Sequence, residues 1–168
     1  AMLCMATLQP RSAAAGCYDS GVVGPDGKTT FTVADTASCT GFDFSNAAVP
    51  AGSSLIVAPG ALIDNGVSAP ITASGANAEI GTITVLGEIR RDEDDGRRGY
   101  VVSLSSNVKS VGDIYFGPDS ASHSTNITLL EMRGVQQFGS ITTDVGALKP
   151  NGTYGTGSFS NNGNLIWM

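Results

Sequence analysis

Hydrophobic positions in this chain recur in a fixed relation to glycine rather than with a helical period. Three segments align on a glycine: Asn77-Ala78-Glu79-Ile80-Gly81-Thr82-Ile83, Val108-Lys109-Ser110-Val111-Gly112-Asp113-Ile114 and Val135-Gln136-Gln137-Phe138-Gly139-Ser140-Ile141. Each reads apolar-Gly-polar-Ile, and ten residues before each glycine stands Ile71, Val102 or Leu129. A second glycine follows, so that Gly81–Ile89 matches Gly157–Leu165 in spacing. The intervals from Gly81 through Gly112 and Gly139 to Gly157 are 31, 27 and 18 residues. The shortest reads as a bare coil, and the longer ones as coils carrying insertions at Arg90–Arg98 and Gly117–Ser124.

Short alternating strands broken by glycine predict an all-β protein. One side chain in two turns inward, glycine permits a positive-φ corner, and strands one coil apart pair in parallel. A parallel β-helix (a solenoid) fits the shared register, and an antiparallel β-sandwich is the alternative. The N-terminal third differs. Gly24-Pro25-Asp26-Gly27 is a turn between Val22-Val23 and Thr29–Val33, which predicts a hairpin. Residues 16–50 are expected to cap the solenoid and residues 51–168 to form its coils, the first starting within Val49–Val57. The apolar end Leu165-Ile166-Trp167-Met168 carries the expectation that further coils follow.

Composition agrees with this architecture. Gly, Ser, Thr and Asn make up 64 of 168 residues, charged residues are 14%, and Lys and Glu are too scarce for a helical bundle. The net charge of −6 argues against a nucleic-acid partner, which selects a basic face. No apolar run approaches the roughly 18 residues of a membrane-spanning helix, so membrane insertion by this segment is not expected. Residues 1–15 read as a secretory signal remnant, an apolar run followed by Ala13-Ala14-Ala15. With Cys4 inside that segment, Cys17 and Cys39 remain as a disulfide expected to staple the cap; closing a loop of that size is worth about 3 kcal/mol.

Candidate chemistry is sparse. His123 is the only histidine, and it stands with Asp119, Ser120, Ser122 and Ser124 in a Ser-rich stretch that reads as a solvated loop. Asp92, Glu93, Asp94 and Asp95 could supply oxygen ligands to Ca²⁺, but Arg90, Arg91, Arg97 and Arg98 flank them and neutralise the loop internally. No phosphate-binding or dinucleotide pattern occurs. The expectation is therefore no metal, no cofactor and no catalysis. Arg90–Arg98, Asp119 and His123 mark the candidate binding loops, because loops on a rigid scaffold usually carry recognition.

Gly157-Ser158-Phe159-Ser160-Asn161-Asn162-Gly163-Asn164-Leu165 resembles the degenerate Gly-x-Ile-x-Asn-x-Gly-x-Ile repeat of bacterial autotransporter passenger domains, and Gly81–Ile89 follows the same form. Asp43-Phe44-Ser45-Asn46 before the first coil is similar to such N-termini. The resemblance implies a right-handed β-helix displayed at the bacterial surface or secreted, often as an adhesin. Its expected partner is a host or neighbouring-cell surface protein or glycan. Two alternatives stand beside it: a structural subunit that self-associates through the solenoid ends, and a polysaccharide-active enzyme.

Overall fold

The computed structural model describes residues 18–19, 21–34, 38–39, 41–64, 70–74, 78–90, 99–105, 108–120, 127–144 and 166–167. Every regular element among them is a β-strand. In chain order they are β1 (Val22–Val23), β2 (Thr29–Val33), β3 (Ser38–Cys39), β4 (Phe42–Asp43), β5 (Ser53–Val57), β6 (Leu62–Asp64), β7 (Ile71–Ala73) and β8 (Ala78–Val85). Then come β9 (Glu88–Arg90), β10 (Gly99–Leu104), β11 (Val108–Val111), β12 (Ile114–Phe116), β13 (Ile127–Met132), β14 (Gln137–Phe138), β15 (Ile141–Thr143) and β16 (Ile166–Trp167). The first sheet runs β1-β2-β5-β8-β11-β14, with β12 joining β8 to β15; the second runs β16-β13-β10-β7-β4 and the third β3-β6-β9.

Successive strands are dealt to the sheets in turn: β2, β3 and β4 go to the first, third and second sheets, and β5–β7 and β8–β10 repeat that order. Among the described strands only β1 and β2 pair antiparallel, Val22 opposite Thr30 and Val23 opposite Thr29, as the Gly24–Gly27 turn predicts, and an isolated antiparallel bridge joins Tyr18 to Val33 of β2. All other strand pairs among the described residues are parallel. The antiparallel sandwich is thereby excluded as the organisation of these strands. Parallel pairing also begins earlier than Val49–Val57, because β2 inside the 16–50 region already pairs with β5.

Register turns the alternating sequence into inward rows. Phe31, Leu55, Ile83 and Ile114 lie on successive paired strands and are all buried, as are Val33, Val57, Val85 and Phe116. The second sheet adds Phe42, Ile71, Val102 and Leu130, and the third adds Ile63 and Ile89. Burying each such side chain is worth roughly 1.5–3 kcal/mol, so the rows are the main stabilising feature. One expected alignment is shifted: Val102 pairs with Leu130, not Leu129. Either leucine satisfies an apolar pattern, but the pleat allows only one of two neighbours to join a given row.

The repeat glycines are required for a different reason from the one expected. None of Gly81, Gly112 and Gly139 has a left-handed φ. A Cβ on Gly112 would instead stand 2.7 Å from the carbonyl oxygen of Gly81, and one on Gly139 would stand 2.9 Å from the carbonyl carbon of Gly112. The Gly112 N–H donates to Gly81 O at 2.8 Å, so backbone stacks directly on backbone at this corner.

Cys39 lies in β3, paired with Ile63, and Cys17 lies outside the described residues, so the expected Cys17–Cys39 disulfide falls outside them too. Among the described residues, aromatic packing supports this region. Phe42 meets Tyr18 and Phe44 at 4.8 Å between centroids with steeply inclined rings, and Phe31 at 5.4 Å. These edge-to-face contacts are favourable beyond their buried area.

Candidate functional site

Two of the connections expected to bear function precede strands that pair with each other. Residues 91–98 lead into β10 and residues 121–126 into β13, and those neighbouring strands begin side by side, Gly99 opposite Ile127. Arg90 ends β9, opposite Asp64. Asp119 is exposed in the turn after Gly117, where the buried Ser120 hydroxyl donates to Gly117 O at 2.8 Å. Arg91, Asp92, Glu93, Asp94, Asp95, Arg97, Arg98 and His123 lie outside the described residues, as do the 1–15 leader and Gly157–Leu165.

A polar cluster that the sequence reading passed over lies on the second sheet. Glu131 is 6% exposed although its row neighbour across the pair is the polar Ser103. The Ser103 hydroxyl donates to Glu131 Oε2 at 2.7 Å, and Arg133 reaches Oε1 at 2.5 Å as an ion pair without hydrogen-bond alignment. The visible signal was a carboxylate set inside the apolar run Leu129-Leu130-Glu131-Met132. Chemically, serine and arginine both engage the carboxylate, and the Ser103 bond ties β10 to β13.

Further polar contacts cross the first sheet. Lys109 donates to Glu79 at 2.5 Å between β11 and β8, and this bond, with the attraction of the ammonium, holds the Glu79 carboxyl below its ordinary value. Asp113 is likewise held low, first by the Ser140 N–H and then by its hydroxyl. Tyr115 donates to Asp144, which pushes its phenol up. All three groups are solvent-exposed, so these shifts report local bonds rather than a desolvated reaction centre.

Among the described residues, no group of three or more His, Cys, Asp or Glu side chains is placed to hold a metal ion. No helix among them is long and apolar enough to cross a membrane. No known protein family, curated protein or solved structure matches the chain.

Proposed function

We propose that the three sheets are the faces of a right-handed parallel β-helix, and that the chain is a non-catalytic, secreted or bacterial surface-exposed segment presenting loops for adhesion or recognition. The recurring order of sheets supports the helix reading, and right-handedness follows from the strong chiral preference of crossovers between parallel strands. The observation that carries the functional reading is the side-by-side start of β10 and β13. It brings the entry points of the charged 91–98 and Ser-rich 121–126 connections to one edge of a rigid sheet, where two loops can meet one partner.

The test replaces residues 91–98 with a Gly/Ser segment of equal length. Binding of labelled wild-type and replaced chains is then measured on a glycan array and on epithelial monolayers. The reading expects wild-type binding that the replacement abolishes while the circular dichroism spectrum is unchanged. A wild-type chain that binds neither surface, or a replacement that binds equally well, rejects it.

A second reading, self-assembly through the sheet ends, is favoured by one observation. Val22 and Val23 on β1 are each 66% exposed at one edge of the first sheet, and Phe138 on β14 is 50% exposed at the other. Sedimentation velocity across concentrations tests it: a constant monomer rejects self-assembly, and a concentration-dependent series supports it.

A further inference from the structure

The first sheet ends differently at its two outer edges. On the β1 side the inward residues of β2 are sealed: Phe31 and Val33 are buried, with Tyr18 packed edge-on against Phe31. On the other side β14 pairs only with β11 and β15 only with β12, and no described strand lies beyond them. Rows that are buried on the inner strands open here. Phe138 is 50% exposed where its partner Val111 is 3%, and Ile141 and Thr143 are partly exposed where Ile114 and Phe116 are buried. None of the residues 133–144 except those partly exposed positions is shielded from solvent, and none is buried.

β14 and β15 together make one long edge. Through β11 and β12 both stack on the single strand β8, so residues 137–143 run along one line. From Gly134 to Thr143 this edge holds neither a charged residue nor a proline. Sheet edges are normally blunted by such residues or by shortness, because their outward N–H and C=O groups template another strand. β1 is blunted in that way: it is two residues long, and Pro25, Asp26 and Lys28 follow it.

We propose that a second copy of this chain pairs with this edge, β14 and β15 running antiparallel to the same strands of that copy about a two-fold axis. A contact made through one and the same edge is isologous, so each residue meets the one equally far beyond the axis. Like charges directly opposite each other would oppose such pairing, and the run from Gly134 to Thr143 has none. Its two ends carry opposite charges. Arg133 and Asp144 stand five residues to either side of the adjacent Phe138 and Gly139, so an axis between those two brings each copy's Arg133 end to the other's Asp144 end. Both side chains are solvent-exposed while bonded within the chain, to Glu131 and to Tyr115. The same register brings the two Phe138 rings together at the axis and withdraws them from water. The inference rests on the self-assembly reading and narrows it to a closed dimer through one edge, in place of an open series through both.

Light scattering of the full chain across concentrations is expected to give a mass that rises to twice that of the chain and stops there. Phe138→Lys and Phe138→Glu, each shown to be folded by circular dichroism, are expected to stay monomeric. Their equimolar mixture is expected to recover the dimer, because position 138 faces itself only across a two-fold axis. Val23→Lys, on the blunted edge, is expected to keep the dimer. Should either Phe138 variant unfold, Gln137→Lys and Gln137→Glu take their place. A wild-type chain that is monomeric throughout overturns this inference and the self-assembly reading together. A mass that keeps growing past the dimer overturns this inference alone. So does a folded Phe138→Lys chain that still dimerises, a mixture that stays monomeric, or loss of the dimer in Val23→Lys.

Discussion

Asp113 Oδ1 accepts two hydrogen bonds from Ser140, from its N–H and from its hydroxyl, each at 2.8 Å. The two residues occupy the same slot of successive Gly-polar-Ile repeats, Gly112-Asp113-Ile114 and Gly139-Ser140-Ile141. Ser54 and Thr82 repeat the arrangement, the Thr82 N–H donating to Ser54 Oγ at 2.9 Å. A side chain at this position therefore anchors a backbone N–H of the neighbouring strand segment.

This bond carries a pH dependence. Its hydrogen bonds hold the Asp113 carboxyl below the ordinary value of 3.8 in the folded state. Its contribution to stability is therefore present above the unfolded-state value and is lost as pH falls through the lower folded-state value. In urea titrations between neutral and strongly acidic pH, Asp113→Ala should be less stable than wild type at neutral pH. The gap should close in acid. A gap that is constant across the range would show that the carboxylate charge contributes nothing.

Gly112→Ala should destabilise by about 1–3 kcal/mol, the usual cost of forcing a methyl into packed structure. Here the obstruction is backbone, the Gly81 carbonyl oxygen at 2.7 Å, which cannot rotate away. Gly27→Ala is the informative contrast. Its site is open to solvent, and its φ of 76° costs roughly 1–2 kcal/mol through the left-handed conformation alone. Chemical denaturation midpoints of both variants separate crowding from φ strain. A Gly112→Ala chain as stable as wild type would remove the close-approach account.

Phe42→Ala should cost about 3–5 kcal/mol, because the ring is 3% exposed and contacts Tyr18, Phe31 and Phe44 together. Phe42→Leu keeps most of the volume and should cost much less. Melting temperatures of the pair measure how far the aromatic group holds the N-terminal strands together. Equal effects would mean that the loss is not one of packing.

Arg133→Ala should destabilise by about 1–3 kcal/mol, since it removes the partner of one oxygen of a buried carboxylate. Glu131→Gln keeps the acceptor for Ser103 and should be milder. A double-mutant cycle over Glu131 and Arg133 isolates the pair, and a coupling energy of zero would make the contact incidental.

Much of the local structure was legible in the chain. The hairpin was, because Gly24-Pro25-Asp26-Gly27 has few alternatives to a turn, and Gly27 adopts the left-handed φ that the turn needs. The Gly-polar-Ile repeat was legible as well, and Ile80 and Val111 are indeed partners, as are Val111 and Phe138. Its reason was not. A sequence cannot distinguish a glycine chosen for φ from one chosen because a neighbouring stretch of backbone leaves no room for a Cβ. The Leu129 and Leu130 alternative failed on the same ground, as two adjacent apolar residues satisfy one pattern until a partner strand fixes the pleat.

The candidate site divides in the same way. Composition marked Arg90–Arg98 as the densest charge in the chain, with eight of its 24 charged residues, because charge is a property each residue carries alone. That its connection enters the second sheet beside the 121–126 connection is set by the pairing of β10 with β13. The buried Glu131 needed the same information, since its bond to Ser103 exists only where two distant stretches of chain become neighbours. What the sequence by itself determined is the strand, the turn and the repeat, all governed by near-neighbour sterics and polarity. Only the tertiary structure decided which strand pairs with which and in what register, and therefore which side chains share a row, a buried bond or an open face.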